Sequence, residues 1–121
     1  MSTVYVVQNQ LVRDRATGEM KPRFDLSPAQ DYGELVFLLD SSDLPFRPVP
    51  VIAKLREGLK HYTPNDYLLL IGNPCLIGWA VALAAQASGG QVKLLQWHTQ
   101  SQSYLLIEAN VFDNLTPLSG D

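Results

Sequence analysis

The chain has 121 residues, 46% hydrophobic and 17% charged, enough for one compact domain whose core needs no disulfides; the single cysteine, Cys75, has no internal partner. Lys and Arg total 9 against 12 Asp and Glu, leaving a net charge of −3 and a pI near 5.2. That excludes the basic footprint of a nucleic-acid binder and is too mild for a nucleic-acid mimic or an acidic tail.

Met1-Ser2-Thr3-Val4 opens the chain without the basic, apolar and small-residue succession of a secretory signal. Thr3 to Val12 begins with Val4-Tyr5-Val6-Val7, a strand-forming run. Arg15 to Glu19, with Gly18, reads as a loop, and Met20 to Leu26 as the second strand of a β-hairpin. Pro22 puts that strand at an edge or breaks it.

Ser27-Pro28-Ala29-Gln30 has the form of a helix start, with a capping serine, proline in the first turn and a glutamine to close a capping box. Ala29, Tyr32, Val36 and Leu39 then share a helical face, so a helix is expected over 28–39. The run Leu35 to Leu39 also fits a buried strand, because a short apolar stretch satisfies both periods. Asp40 to Pro48 is loop chemistry. A second helix is expected from about Val49 to His61, with Val49, Ile52, Leu55 and Leu59 on one face. Thr63 to Asp66 is a turn.

Tyr67 to Val92 contains no charged residue. A membrane span needs about 20 consecutive apolar residues, but Gly72-Asn73-Pro74 interrupts the run and neither flank carries a Lys/Arg cluster. Strand at 67–71, turn, and a third helix over Pro74 to Ser88 is the better parse, with Asn73 as cap and Gly89-Gly90 as stop. That helix is apolar almost all round and should be covered on more than one side. Val92 to Trp97 and Tyr104 to Ala109 form a closing hairpin.

The expected order is β-β-α-α-β-α-β-β: an α/β fold with a mixed sheet of about five strands covered by three helices. Its single domain spans residues 1–112, followed by a polar tail over 113–121.

Several blocks carry a resemblance: Asp25-Leu26-Ser27-Pro28-Ala29, Tyr32-Gly33-Glu34-Leu35-Val36, the stretch from Asp66 to Pro74, Gly90 to Trp97, and Tyr104 to Glu108. Over residues 24–112 the chain resembles a group of short proteins encoded by tailed bacteriophages, notably phages of aquatic bacteria and cyanobacteria. The resemblance implies a phage accessory or host-takeover protein, acting in the cytoplasm of the infected cell through contacts with a host or phage protein. It brings no catalytic set with it.

The most site-like residues are Gly72 and Asn73, between a strand end and a helix start, where unsatisfied N–H groups suit a phosphate, nucleotide or carboxylate. No phosphate-cradling glycine motif accompanies them. Asp40 and Asp43, with Ser41 and Ser42, form a polar cluster that reads first as a solvated loop and second as acid–base or Mg²⁺ chemistry. His61, His98 and Cys75 show no zinc spacing and no nucleophile elbow, so no metal and no cofactor is expected. Cys75, in so apolar a run, is expected to be buried. Trp79, Trp97 and Tyr104 are the interface candidates, with Trp79 on a helix suited to a homodimer. Two readings compete. A non-enzymatic protein-binding role predicts an exposed apolar patch at the third helix or terminal hairpin, with no membrane or nucleic-acid partner. A small-ligand binder or small enzyme predicts a pocket joining Asn73 to Asp40, Asp43 or a histidine.

Overall fold

The computed structural model describes residues 2–113; the tail expected at 113–121 lies, Asp113 apart, outside the described residues. In chain order the elements are β1 (Thr3–Asn9), β2 (Leu11–Arg13), β3 (Met20–Pro22), a 3₁₀ turn (Ser27–Asp31), β4 (Glu34–Asp40), α1 (Pro48–Leu59), β5 (Tyr67–Leu69), α2 (Pro74–Ser88), β6 (Gln91–His98) and β7 (Ser103–Asn110). One five-stranded sheet runs β4-β1-β5-β6-β7, and β2 and β3 form a separate two-stranded hairpin. β4, β1, β5 and β6 are parallel, and β7 pairs antiparallel with β6. The fold is thus α/β with a mixed sheet, as expected, but with two α-helices rather than three.

The third expected helix is the correction. Its first residues, Ser27 to Asp31, make only a 3₁₀ turn, and Ser27 supplies no side-chain cap. Instead Asp25 accepts a hydrogen bond from the Ser27 N–H at 3.0 Å. At Gly33 the chain passes so close to Ser2 that a Cβ would lie 2.3 Å from the Ser2 carbonyl oxygen. That contact brings Glu34 to Asp40 alongside β1, where Tyr5 lies opposite Val36 and Val6 opposite Phe37. Pairing with a distant strand decides between two periods that the local sequence leaves balanced. The order also changes: β1 is the sheet's second strand, with parallel neighbours on both sides, and the hairpin adds nothing to the main sheet.

Alternation along β1 divides the core. Tyr5 and Val7 face a layer made by α1 and α2, where Leu55, Leu59, Leu76, Ala80 and Ala84 are buried. Val4 and Val6 face the opposite side, where Ala29, Leu69, Ile71, Leu95 and Tyr104 are buried beneath Phe24, Leu26 and Tyr32. Both helices lie on one face because β4–α1–β5 and β5–α2–β6 step the same way across the sheet with one handedness, and there they pack against each other. The apolar helix α2 reaches water through its small residues: Leu76, Ala80, Ala84 and Ala85 are buried, whereas Gly78, Ala82 and Ala87 are exposed. No helix of the described residues is long and apolar enough to cross a membrane.

Candidate functional site

The chain leaves β1 towards β4 and leaves β5 towards β6, so the adjacent ends of β1 and β5 are the point where the connections diverge. In open α/β sheets this is where ligands collect, outside the carboxyl ends of the strands. Gln8 occupies that position, 4% exposed. Its side-chain Nε2 donates to the Asp40 carbonyl at 3.0 Å and the Asp43 carbonyl at 3.1 Å. Its Oε1 accepts the Asn73 N–H at 2.9 Å. One buried amide therefore joins Asn73 to the Asp40–Asp43 loop, all three being sequence-designated positions.

Gly72 is part of this joint. Its φ is +137°, and a Cβ there would meet the Gln8 Cβ at 2.6 Å. Asn73 caps α2, its Oδ1 accepting from the Cys75 N–H at 2.8 Å. Asp43 accepts both the Asp40 N–H at 3.0 Å and the Lys54 ammonium at 2.8 Å. Asp40 accepts from the hydroxyl and the N–H of Ser42, and these two bonds, side chain first, hold its carboxyl below the usual carboxylate range. Above the joint lies a cleft of about 260 Å³ bordered by Gln10, Arg23, Ser41, Asp43, Leu44 and Asn73.

A larger concavity, about 990 Å³, lies along β4, the sheet's first edge. Phe24, Leu26, Leu35 and Phe37 line it, with Lys21, Arg23, Asp25 and Glu34 among its charged residues. No sequence motif marks it. Reading 28–39 as a helix conceals it, because only a strand places Leu35 and Phe37 together on one sheet face beside the 24–26 segment.

Trp79 is half-buried on α2 against the helical layer. Trp97, also half-buried, meets Tyr104 edge to face with ring centroids 5.0 Å apart. Tyr104 itself is 5% exposed, and its hydroxyl donates to the Asp25 carbonyl at 3.0 Å. Tyr104 thus pins the 24–26 segment to the sheet and presents almost no surface. The exposed apolar residues of the terminal hairpin are its neighbours Leu105, Leu106 and Ile107.

His98 Nδ1 lies 2.8 Å from the Ser101 hydroxyl in the β6–β7 turn, and His61 is exposed beyond α1. Neither histidine lines the cleft or the large groove. Cys75 is exposed in the first turn of α2, contrary to expectation, and Leu76 beside it is the residue that turn buries. Among the described residues no group of three or more His, Cys, Asp or Glu is placed to hold a metal ion.

No curated protein and no solved structure matches the chain. A family model does, described as Phage Pam3 gp32-like protein, over residues 2–111.

Proposed function

We propose that this chain, which belongs to the Phage Pam3 gp32-like protein family, is an accessory protein that works by binding another protein in the cytoplasm of the infected host. A phage-encoded family agrees with the resemblance read from the sequence; an aquatic host is part of the proposal. The observation that carries it is the groove of about 990 Å³ beside the free edge of β4. Phe24, Leu26, Leu35 and Phe37 offer apolar anchor sites, while Lys21, Arg23, Asp25 and Glu34 supply both signs of charge near them. An extended partner segment of alternating apolar and charged residues suits such a surface, adding main-chain bonds along the outer edge of β4, which has no neighbour among the described residues. No histidine or cysteine lines the groove.

The test is capture from infected-cell lysate with wild type, Phe37→Asp and Phe46→Asp, read by mass spectrometry. Phe37 lines the groove, whereas Phe46, 85% exposed, lies outside it. A partner retained by wild type and Phe46→Asp but lost by Phe37→Asp supports the proposal. A partner retained equally by all three, or no partner at all, counts against it.

A second reading rests on the cleft joining Asn73 to Asp43 at the diverging strand ends. A small polar ligand there would raise the thermal midpoint of wild type more than that of Asn73→Ala. A screen of nucleotides, carboxylates and divalent cations that moves neither midpoint removes this reading.

A further inference from the structure

We propose that β7 pairs edge to edge with β7 of a second copy, about a two-fold axis at Leu106, to make one continuous ten-stranded sheet. Among the described residues, the surface concerned is the second free edge of the sheet, opposite β4. β7 has eight residues, SYLLIEAN, with no proline, lysine or arginine to blunt it. Edges lacking such devices invite pairing with another chain.

The orientation of the free backbone groups follows from the hairpin. The Val111 N–H donates to the Gly90 carbonyl at 2.9 Å, and the β6–β7 register runs without a slip from that end to His98 opposite Ser103. Backbone groups alternate along a strand. Residues 103, 105, 107 and 109 therefore turn their N–H and C=O towards β6, and Tyr104, Leu106 and Glu108 turn theirs outwards.

Side chains favour a copy of the same strand. Leu105, Leu106 and Ile107 are 44%, 41% and 42% exposed. Leu105 and Ile107 lie on the helical face, opposite Gln96 and Leu94, and Leu106 lies on the other face, opposite Leu95. Antiparallel pairing centred on Leu106 sets Leu105 against the partner's Ile107, Leu106 against the partner's Leu106, and Tyr104 against the partner's Glu108. Every exposed aliphatic side chain of the triplet then meets another aliphatic one. Glu108, the only charged residue of β7, does not face its own copy. Moving the axis to Glu108 would oppose two carboxylates, and moving it to Ile107 would place Leu106 against the partner's Glu108. Such cross-strand matches are what fix a register.

This pairing is independent of the groove reading and leaves the β4 edge open on both copies. The resulting dimer would present two grooves, one at each end of its sheet.

The experiment is sedimentation equilibrium on the full chain and on Leu106→Pro and Leu106→Lys, with circular dichroism to confirm folding. Proline at 106 removes an N–H that points away from β6, so the monomer's own ladder stays whole. Wild type should sediment at twice the 13.4 kDa chain mass, and both variants at the chain mass with an unchanged dichroism spectrum. In a Cys75→Ser background, Leu106→Cys should cross-link readily under mild oxidation, and Glu108→Cys far less. A monomeric wild type overturns the proposal, as does a folded Leu106→Lys that still dimerises. Equal cross-linking at 106 and 108 overturns the register.

Discussion

The Asn73 N–H donates to the side-chain oxygen of Gln8 at 2.9 Å, across 65 residues of sequence. This bond ties the entrance of α2 to the end of β1, and the other half of the same amide holds the loop after β4. Three chain segments meet on one side chain that is almost wholly buried.

Gln8→Leu should therefore destabilise the fold by about 1–3 kcal/mol, the usual cost of leaving buried polar groups without partners. The removed amide serves two carbonyls and one N–H, and leucine serves none. The urea midpoint is the measurement. An unchanged midpoint would mean that water satisfies these groups once the amide is gone.

Glycines 72 and 18 should respond differently to alanine. Both have positive φ, +137° and +75°, but a Cβ at 72 meets Gln8 at 2.6 Å, whereas nothing lies within 4 Å at 18. Gly18→Ala carries only the cost of a Cβ in the left-handed region, about 1 kcal/mol. Gly72→Ala adds a clash with a buried strand and should cost about 2 kcal/mol or more. Thermal unfolding of the pair reads the difference directly, and equal losses would contradict the close approach.

Asp66 is 7% exposed and accepts three hydrogen bonds, from the Thr3 N–H at 3.0 Å and from the Thr63 N–H and hydroxyl at 2.9 and 3.1 Å. It joins the first residue of β1 to the turn before β5. Asp66→Asn replaces one acceptor oxygen with a donor and sets it against a donor, which should cost about 1.5–3 kcal/mol. Faster amide exchange at Thr3 and Thr63 should accompany the loss. Protection unchanged at both amides would show that another group holds this corner.

Tyr5, Tyr62 and Tyr104 should weaken the fold in alkali. Burial, the largest cause for each, raises all three hydroxyl pKa values above the ordinary tyrosine value, and the carboxylates Asp66 and Asp25 nearby add to it. A raised folded pKa gives stability that is complete below the unfolded pKa and lost as pH rises through the folded one. Stability should accordingly hold up to about pH 10 and decline beyond it. Absorbance titration of phenolate should show a fraction of the tyrosines ionising late, together with unfolding. Ionisation of all tyrosines at the ordinary value in the folded protein would contradict this.

The uncharged run from Tyr67 to Val92 could be parsed from sequence because Asn73, Pro74 and Gly89 mark both ends of a helix locally. Leu35 to Leu39 could not, since what makes it a strand is β1 beside it and the bare backbone of Gly33 against Ser2. Losing that strand meant losing Phe37 as a surface residue and the groove with it. The cleft was half legible: the loop and turn chemistry of Asp40, Asp43, Gly72 and Asn73 is local. Gln8, which unites them, reads in sequence as one more residue of a strand. Tyr104 stands out in sequence for its size alone, whereas the segment that covers it, held through the Asp25 carbonyl, lies 79 residues away in the chain.

The position of β1 bears on how the molecule is made. Among the described strands it is made first, yet its parallel neighbours begin at Glu34 and Tyr67. Until the chain has been synthesised past β5, one side of this apolar strand has nothing to pair with. Distant parallel pairing of this kind folds slowly and exposes the nascent segment to aggregation. A product truncated before Tyr67 should thus be sticky and short-lived, because the sheet closes around β1 only once β5 has been made.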